Sequence, residues 1–294
     1  MSNFAILGDS TCDLNKELRD KYGIEYVAMN YVLDGIEYTA SLDWEHHSSK
    51  EFYDLMRNDK RILTTQVPRE VYTEAFASYL KEGKDVLYIS CSSALSGSIN
   101  LAKVIAEELK EEYPENKVIC VDSLISSLGQ GYMLIRASEL RAEGKSAEEA
   151  AEYIEKSKLK VNQFGTVGSL HYLRRAGRVK ASSAFFGNLF GIKPIIISDI
   201  LGQNYAVEKV KGSLNAKVKI AERIAEVTEN DDCLYISHAD CLEDAELLKE
   251  KVLEVYPFKN VVIGTIGPIV GSCVGPGTII SFCFGKEVTV EGRE

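Results

Sequence analysis

The chain has 294 residues, 45% hydrophobic and 27% charged, which is long enough for two domains with sizeable cores and too apolar for a disordered chain. Its 44 acidic against 34 basic residues leave a formal charge of -10, which repels a phosphate backbone and argues against nucleic acid as a partner. The seven cysteines are odd in number and form no CxxC pair, so they are expected to be reduced core thiols in a cytoplasmic protein. MSNFAILGDS shows no secretory signal pattern.

In chain order, FAILG (4–8) reads as a short apolar strand, followed by a helix capped by Ser10, Thr11 or Asp13 and ended by Gly23. YVAMNYVLDG reads as β with a turn at Asp34-Gly35, and SSKEFYDLMRN as a helix with a serine cap and Glu51 in its first turn. Beyond TTQVP, the segment REVYTEAFASYLKEG sets Val71, Tyr72, Ala75, Phe76, Tyr79 and Leu80 on one helical stripe. DVLYIS is the next strand. SGSINLAKVIAEELKEEY is a helix with Leu101, Val104, Ile105 and Leu109 on one face, and KVICVDS is a further strand. Two helices, in QGYMLIRASELRAEG and SAEEAAEYIEKSK, close the first half. Alternating β and α predicts a doubly wound, mostly parallel sheet with ligands at the strand C-terminal ends, which puts Asp9-Ser10-Thr11, Ser92 to Ser98 and Asp122-Ser123 on one rim.

The charged stretch KSKLKVN marks a boundary, giving domains 1–160 and 161–294. In the second, FGTVGSL and IKPIIIS are strand candidates separated by the helix-like HYLRRAG and the small, aromatic ASSAFFGNLFG. A helix over 213–228, the strand CLYISHAD and a helix over 243–256 follow. From Val261 to Gly285 no residue is charged. The run holds six glycines and two Gly-Pro pairs, so it predicts two buried strands joined by a glycine-rich loop rather than a membrane helix.

SSALSGS places hydroxyls and backbone N–H groups at a helix start, an arrangement that suits an anion and equally suits plain capping. Thr64 and Thr65 precede the next helix with the same two readings. Nucleotide signatures are absent: EGKSAEE would need a glycine where Glu139 stands, and there is no GxGxxG. The four histidines lack metal-ligand spacing, so neither a metal nor another cofactor is expected. Gly8-Asp9-Ser10, with Asp43 to His46 as a DxxH, leaves open a serine esterase of the GDSL type using Ser10. LRRAGRVK is either a helix end complementing the dipole or a docking patch for an acidic protein or an anionic membrane.

Taken together, DSTCDL, TTQVP, SSALSGS, VDS with GQG, YLRRAGR, GIKPII and VGSCVGPGT resemble the DegV family, fatty-acid-binding proteins that serve as the lipid-carrying subunits of bacterial fatty acid kinase. The resemblance runs across nearly the whole chain. It implies two α/β domains, an N-terminal doubly wound sheet and a C-terminal α/β domain, with a lipid site between them. It further implies a non-enzymatic carrier that holds a long-chain fatty acid for a separate kinase, with transient membrane contact. The carboxylate ligands carried over are Thr64 and Ser96, with Thr65, Ser93, Gly97, Ser98 and Cys273 around them. The acyl-chain pocket is expected at Phe185, Phe186, Leu189, Phe190 and Ile192, and Arg174 and Arg178 fall in the kinase-facing motif. Cys273 stands where the family carries a histidine, Val67 replaces the proline of the TSQP motif, Ser98 a threonine and Ala176 a glycine. A thiol is a weaker donor than an imidazole, so the head group loses a partner; a lipid-sensing protein without a kinase partner is therefore a further alternative.

Overall fold

The computed structural model describes residues 4–180, 191–229 and 232–292. Strand β1 (Phe4–Asp9) is buried along its whole length. It pairs in parallel with β2 (Ile24–Val27) on one side and β6 (Asp85–Ser90) on the other, and β7 (Val118–Asp122) joins β6, giving a four-stranded parallel sheet in the order β2-β1-β6-β7. Continuous apolar runs such as FAILG and DVLYIS suit strands covered on both faces. Helices α1 (Lys16–Tyr22), α3 (Arg69–Lys81), α4 (Ser98–Glu112), α5 (Leu128–Ala142) and α6 (Ala147–Ser157) supply the cover. The strand order reverses between β1 and β6, so the crevice expected for a ligand opens at Asp9–Thr11 and Cys91.

Helix α1 starts later than its hydroxyls suggest. Asn15 is its cap, accepting from the Leu18 N–H at 2.9 Å, while Ser10, Thr11 and Asp13 are buried and bonded elsewhere. YVAMNYVLDG divides between two sheets. Its second part, β3 (Asn30–Leu33), forms a two-residue hairpin with β4 (Ile36–Thr39), and the positive φ of Asp34 (51°) and Gly35 (81°) gives that turn the hand of the strand twist. Strand β5 (Ile62–Thr65) pairs on the other side of β3. Helix α2 (Ser49–Arg57) carries the expected capping box between Ser48 and Glu51. In α4 the buried face is Ile99, Ala102, Ile105 and Leu109; Val104, expected inside, lies one position off that stripe and is half exposed.

The second half builds a seven-stranded mixed sheet around β8 (Val161–Thr166), in the order β13-β12-β14-β8-β10-β11-β9. After β8 come α7 (Leu170–Ala176), β9 (Val179–Lys180), β10 (Ile192–Ser198), β11 (Asn204–Lys211), α8 (Ser213–Val227), β12 (Cys233–His238), α9 (Leu242–Leu253), β13 (Asn260–Thr265), α10 (Pro268–Val274) and β14 (Ile279–Phe284). The uncharged run 261–285 does hold two strands, but the link between them is a helix, not a loop. Pro268 opens α10 at its first position, where a missing N–H costs nothing, and the residues around Gly271 are buried. A side chain at Gly271 would reach within 2.5 Å of the Tyr53 hydroxyl, which donates to the Ile266 carbonyl at 2.6 Å. Among the described residues, no helix is long and apolar enough to cross a membrane.

One apolar cluster runs from the parallel sheet through Ile266, Ile269, Val270, Val274, Ile280 and Phe282, tying α10 and the inner face of the larger sheet to the first half. A second cluster packs α8 and α9 against Phe164, Ile195, Ile197 and Ile279 on the other face.

Candidate functional site

The C-terminal end of β6 leads into a tight turn in which Ser96 N–H donates to the Ser92 carbonyl at 3.1 Å, before α4 begins. Gly97 occupies the cap position without a side chain. Ser96 Oγ accepts from the Ser98 N–H at 3.3 Å and lies 3.0 Å from Ser98 Oγ. Opposite this turn, β5 presents Thr64 and Thr65, followed by Gln66. Gly97 has to be small here, because a Cβ would stand 2.7 Å from the Gln66 amide nitrogen. Helix α10 contributes Ile269, Val270, Cys273 and Val274, a set whose spacing shares one helical face. Leu173 and Ala176 of α7, then Arg178 and Val179, close the remaining side.

These residues surround a cavity of about 170 Å³, lined also by Thr11, Met29, Cys91, Leu95, Ser126 and Asn204. A smaller cavity of about 30 Å³ shares Ser126, Leu173, Val179, Asn204, Val270 and Val274 with it. That second space continues toward Gly165, Val167, Ile196 and Ile280 of the larger sheet. Thr64 and Ser96 set hydroxyls at one side of the cavity and Thr65 donates its own to Glu37 at 3.2 Å, while α10 lends an apolar face and the larger sheet adds apolar and polar groups together, Gln163 and Thr166 among the latter.

Beneath the cavity, Asp9 closes a buried network. Its Oδ2 accepts from Cys91 N–H at 3.0 Å and from the Tyr88 hydroxyl at 3.2 Å, and its Oδ1 accepts from Thr11 N–H at 2.9 Å. These bonds fix Thr11 and Cys91 in the lining. Burial pushes the Cys91 thiol well above its ordinary pKa. Burial also raises Cys273, with Ser272 and the Arg178 guanidinium pulling it partly back, so both cavity cysteines are neutral thiols at physiological pH.

Of the carboxylate set read from the sequence, the structure brings together Thr64, Thr65, Ser96, Gly97 and Cys273. Ser98 is buried behind Ser96. Ser93 is exposed, with its N–H turned to the Asp122 carboxylate at 3.2 and 3.3 Å, and is not in the lining. Arg178, grouped with Arg174 as a docking residue, lines the cavity and donates to the Ala176 carbonyl at 2.7 Å. Arg174 is exposed on α7. Ile192 begins β10 opposite Lys211 and lines neither cavity, and Phe185, Phe186, Leu189 and Phe190 lie outside the described residues.

Ser10 does not have the surroundings of a nucleophile. It is fully buried, and its Oγ accepts from the Met29 N–H at 3.0 Å, with no histidine partner among the described residues. His46 is exposed beside the Tyr38 ring. Among the described residues no group of His, Cys, Asp and Glu could hold a metal ion.

Comparison with known proteins places this architecture. The family model described as "Uncharacterised protein, DegV family" matches residues 3–285. The chain belongs to the DegV family. A DegV domain-containing protein of Clostridium perfringens is 35% identical over 287 residues, covering 97% of this chain and 98% of the relative. Among solved structures, a fatty-acid-binding DegV family protein from Thermus thermophilus superposes with a TM-score of 0.87 at 27% identity, over 97% of this chain and all of that one (100%). DegV of Bacillus subtilis, a fatty acid binding protein, gives 0.81 at 26% identity over 97% and 100%.

For this DegV-family chain, Gln66 was within reach of sequence reading, since it adjoins Thr64 and Thr65 in the same motif. Thr11 lies in DSTCDL and was placed on the rim, though as a cap. Ser126 and Asn204 carried no local signal: they meet only because the loop before α5 and the start of β11 converge in the fold.

Proposed function

We propose that this protein is a cytoplasmic carrier that binds one long-chain fatty acid in the cavity, its carboxylate at Thr64 and Ser96 and its chain running along α10 toward the larger sheet. The observation that carries this reading is a cavity that has the hydroxyls of Thr64 and Ser96 in its lining and continues past Leu173, Val270 and Val274 to Ile196 and Ile280. The related Thermus and Bacillus structures, described as fatty acid binding, support it. In this reading residues 1–160 supply the head-group domain and residues 161–294 the acyl-chain side.

The energetics divide the same way. About fourteen methylenes of a sixteen-carbon chain, at ~0.8 kcal/mol each, contribute roughly 11 kcal/mol before the costs of association. The tail therefore supplies affinity and the head group supplies orientation. Hydroxyls and a helix N-terminus stabilise a carboxylate or an acyl phosphate alike, so the head stays reactive toward a separate ATP-using kinase. Arg178 adds attraction at the cavity. Arg174, on the exposed side of α7, is the residue left to meet the kinase, and acyl phosphate returns to phospholipid synthesis through transient membrane contact.

Calorimetric titration with palmitate tests the site. Combining Thr64→Ala with Ser96→Ala is expected to weaken binding roughly 10- to 100-fold, the loss of one or two hydrogen bonds to a charged group; unchanged affinity would remove the head-group assignment. When a fatty acid kinase and ATP are added, Arg174→Ala is expected to leave affinity intact and slow phosphorylation of the bound acid. A chain with normal binding and no phosphorylation even in the parent protein would favour the lipid-sensing reading, which the Cys273 thiol in the site motivates.

A further inference from the structure

The junction of the two cavities is unexpectedly polar for a passage that carries a hydrocarbon. Ser126 lines both spaces and is 8% exposed, yet its hydroxyl has no hydrogen-bond partner among the described residues. Asn204 also lines both. Its Oδ1 accepts from Gln163 Nε2 at 2.9 Å, which leaves Asn204 Nδ2 as a donor and Gln163 Oε1 as an acceptor without a bond in that pair. Gln163 lines the inner cavity and is 5% exposed. Strand register supports its direction: Gln163 pairs with Phe282, which belongs to the cluster on the cavity side of the sheet, whereas its neighbour Phe164 packs on the opposite face.

A plain methylene chain crossing this point would strip water from a hydroxyl, an amide donor and an amide acceptor and return nothing to them. A hydroxyl on the chain donates and accepts at once, and so matches the mixed set that Ser126, Gln163 and Asn204 offer. We infer that the preferred ligand is a hydroxylated long-chain fatty acid, with its mid-chain oxygen held by Ser126 and the Gln163–Asn204 pair. This inference rests on the fatty-acid reading above. It assigns the girdle a selective role, because a site built to pair a ligand hydroxyl disfavours the analogue that lacks it.

The test is a competition series with octadecanoic acid and octadecanoic acids hydroxylated at successive mid-chain carbons, on the full chain. At least one hydroxy acid is expected to bind roughly 10- to 100-fold tighter than octadecanoic acid. Ser126→Ala, and separately Asn204→Leu with folding checked by circular dichroism, are expected to shrink that ratio toward one. Equal affinity across the series, as when the girdle simply holds a water, would overturn the inference and leave the fatty-acid reading standing. Uptake of none of these acids would overturn both.

Discussion

The contribution of Asp13 to the stability of this protein is expected to fall by roughly 3–4 kcal/mol as pH rises from 4 to 7, and Asp13→Asn is expected to remove that part of the pH dependence. Asp13 is buried in the turn after β1. Its Oδ1 accepts from the Gly267 N–H at the start of α10 at 2.8 Å, and its Oδ2 from Ser127 Oγ at 2.5 Å; Ser127 in turn lies 2.8 Å from Ser237 Oγ of β12. Burial raises the carboxyl from 3.8 to about 7, with the Ser127 and Gly267 bonds opposing and the neighbouring Asp9 reinforcing the rise. Because the folded pKa exceeds the unfolded one, the folded state holds its proton more tightly. The contribution is complete below pH 3.8, falls through the interval up to about 7 and is flat above it.

Asparagine reproduces the neutral form. Its carbonyl accepts from Gly267 and its amide donates to Ser127, whose hydroxyl then turns to Ser237, and the positive φ of residue 13 (54°) suits asparagine. Urea titrations of the parent and variant at a series of pH values should diverge most near pH 8, with the variant more stable. Parallel stability curves would mean that Asp13 does not titrate in this interval.

Gly275→Ala should be the most damaging single change at the α7–α10 contact, costing about 3 kcal/mol or more. Gly275 has φ 76° and ψ 169°, backbone almost restricted to glycine, and an added Cβ would lie 2.1 Å from Tyr172 Cδ2. The tyrosine has little room to yield: its hydroxyl donates to the Met56 carbonyl at 3.1 Å, and the Arg175 guanidinium sits 5.5 Å from its ring centre. Gly83→Ala gives a reference for positive φ without a clash. With φ 71° and open space around it, it should lose about 1–2 kcal/mol from backbone strain alone. Denaturation midpoints of the two variants give the comparison, and equal losses would show that Tyr172 moves freely. Since α7 and α10 carry Leu173, Val270 and Val274, Gly275→Ala should also weaken ligand binding.

What could be read in advance followed local physics. Parallel strands buried on both faces announce themselves as unbroken apolar runs, and β1 and β6 appeared where FAILG and DVLYIS stand. That Thr64 and Ser96 line one cavity was within reach of the sequence because both sit in short hydroxyl motifs ahead of helices. The failures came where tertiary contacts decide. Ser10, Thr11 and Asp13 look like caps, yet the chain spends them on buried bonds that join distant elements, and Asn15 takes the cap. PIVGSCV looked like a loop because glycine is a poor helix former; a buried environment and Pro268 override that preference. Val104 missed the core by one position, as short apolar stripes allow. The cavity junction had no sequence signature at all, because Ser126, Gln163 and Asn204 come from three segments that only the folded chain assembles.

The central claim is that one long-chain fatty acid lies in the cavity with its carboxylate among alcohol side chains. Native mass spectrometry of the purified protein addresses it most directly: a single adduct with the mass of one such acid, hydroxylated or not, is the predicted result, whereas repeated recovery of bare protein that takes up neither palmitate nor oleate would contradict it.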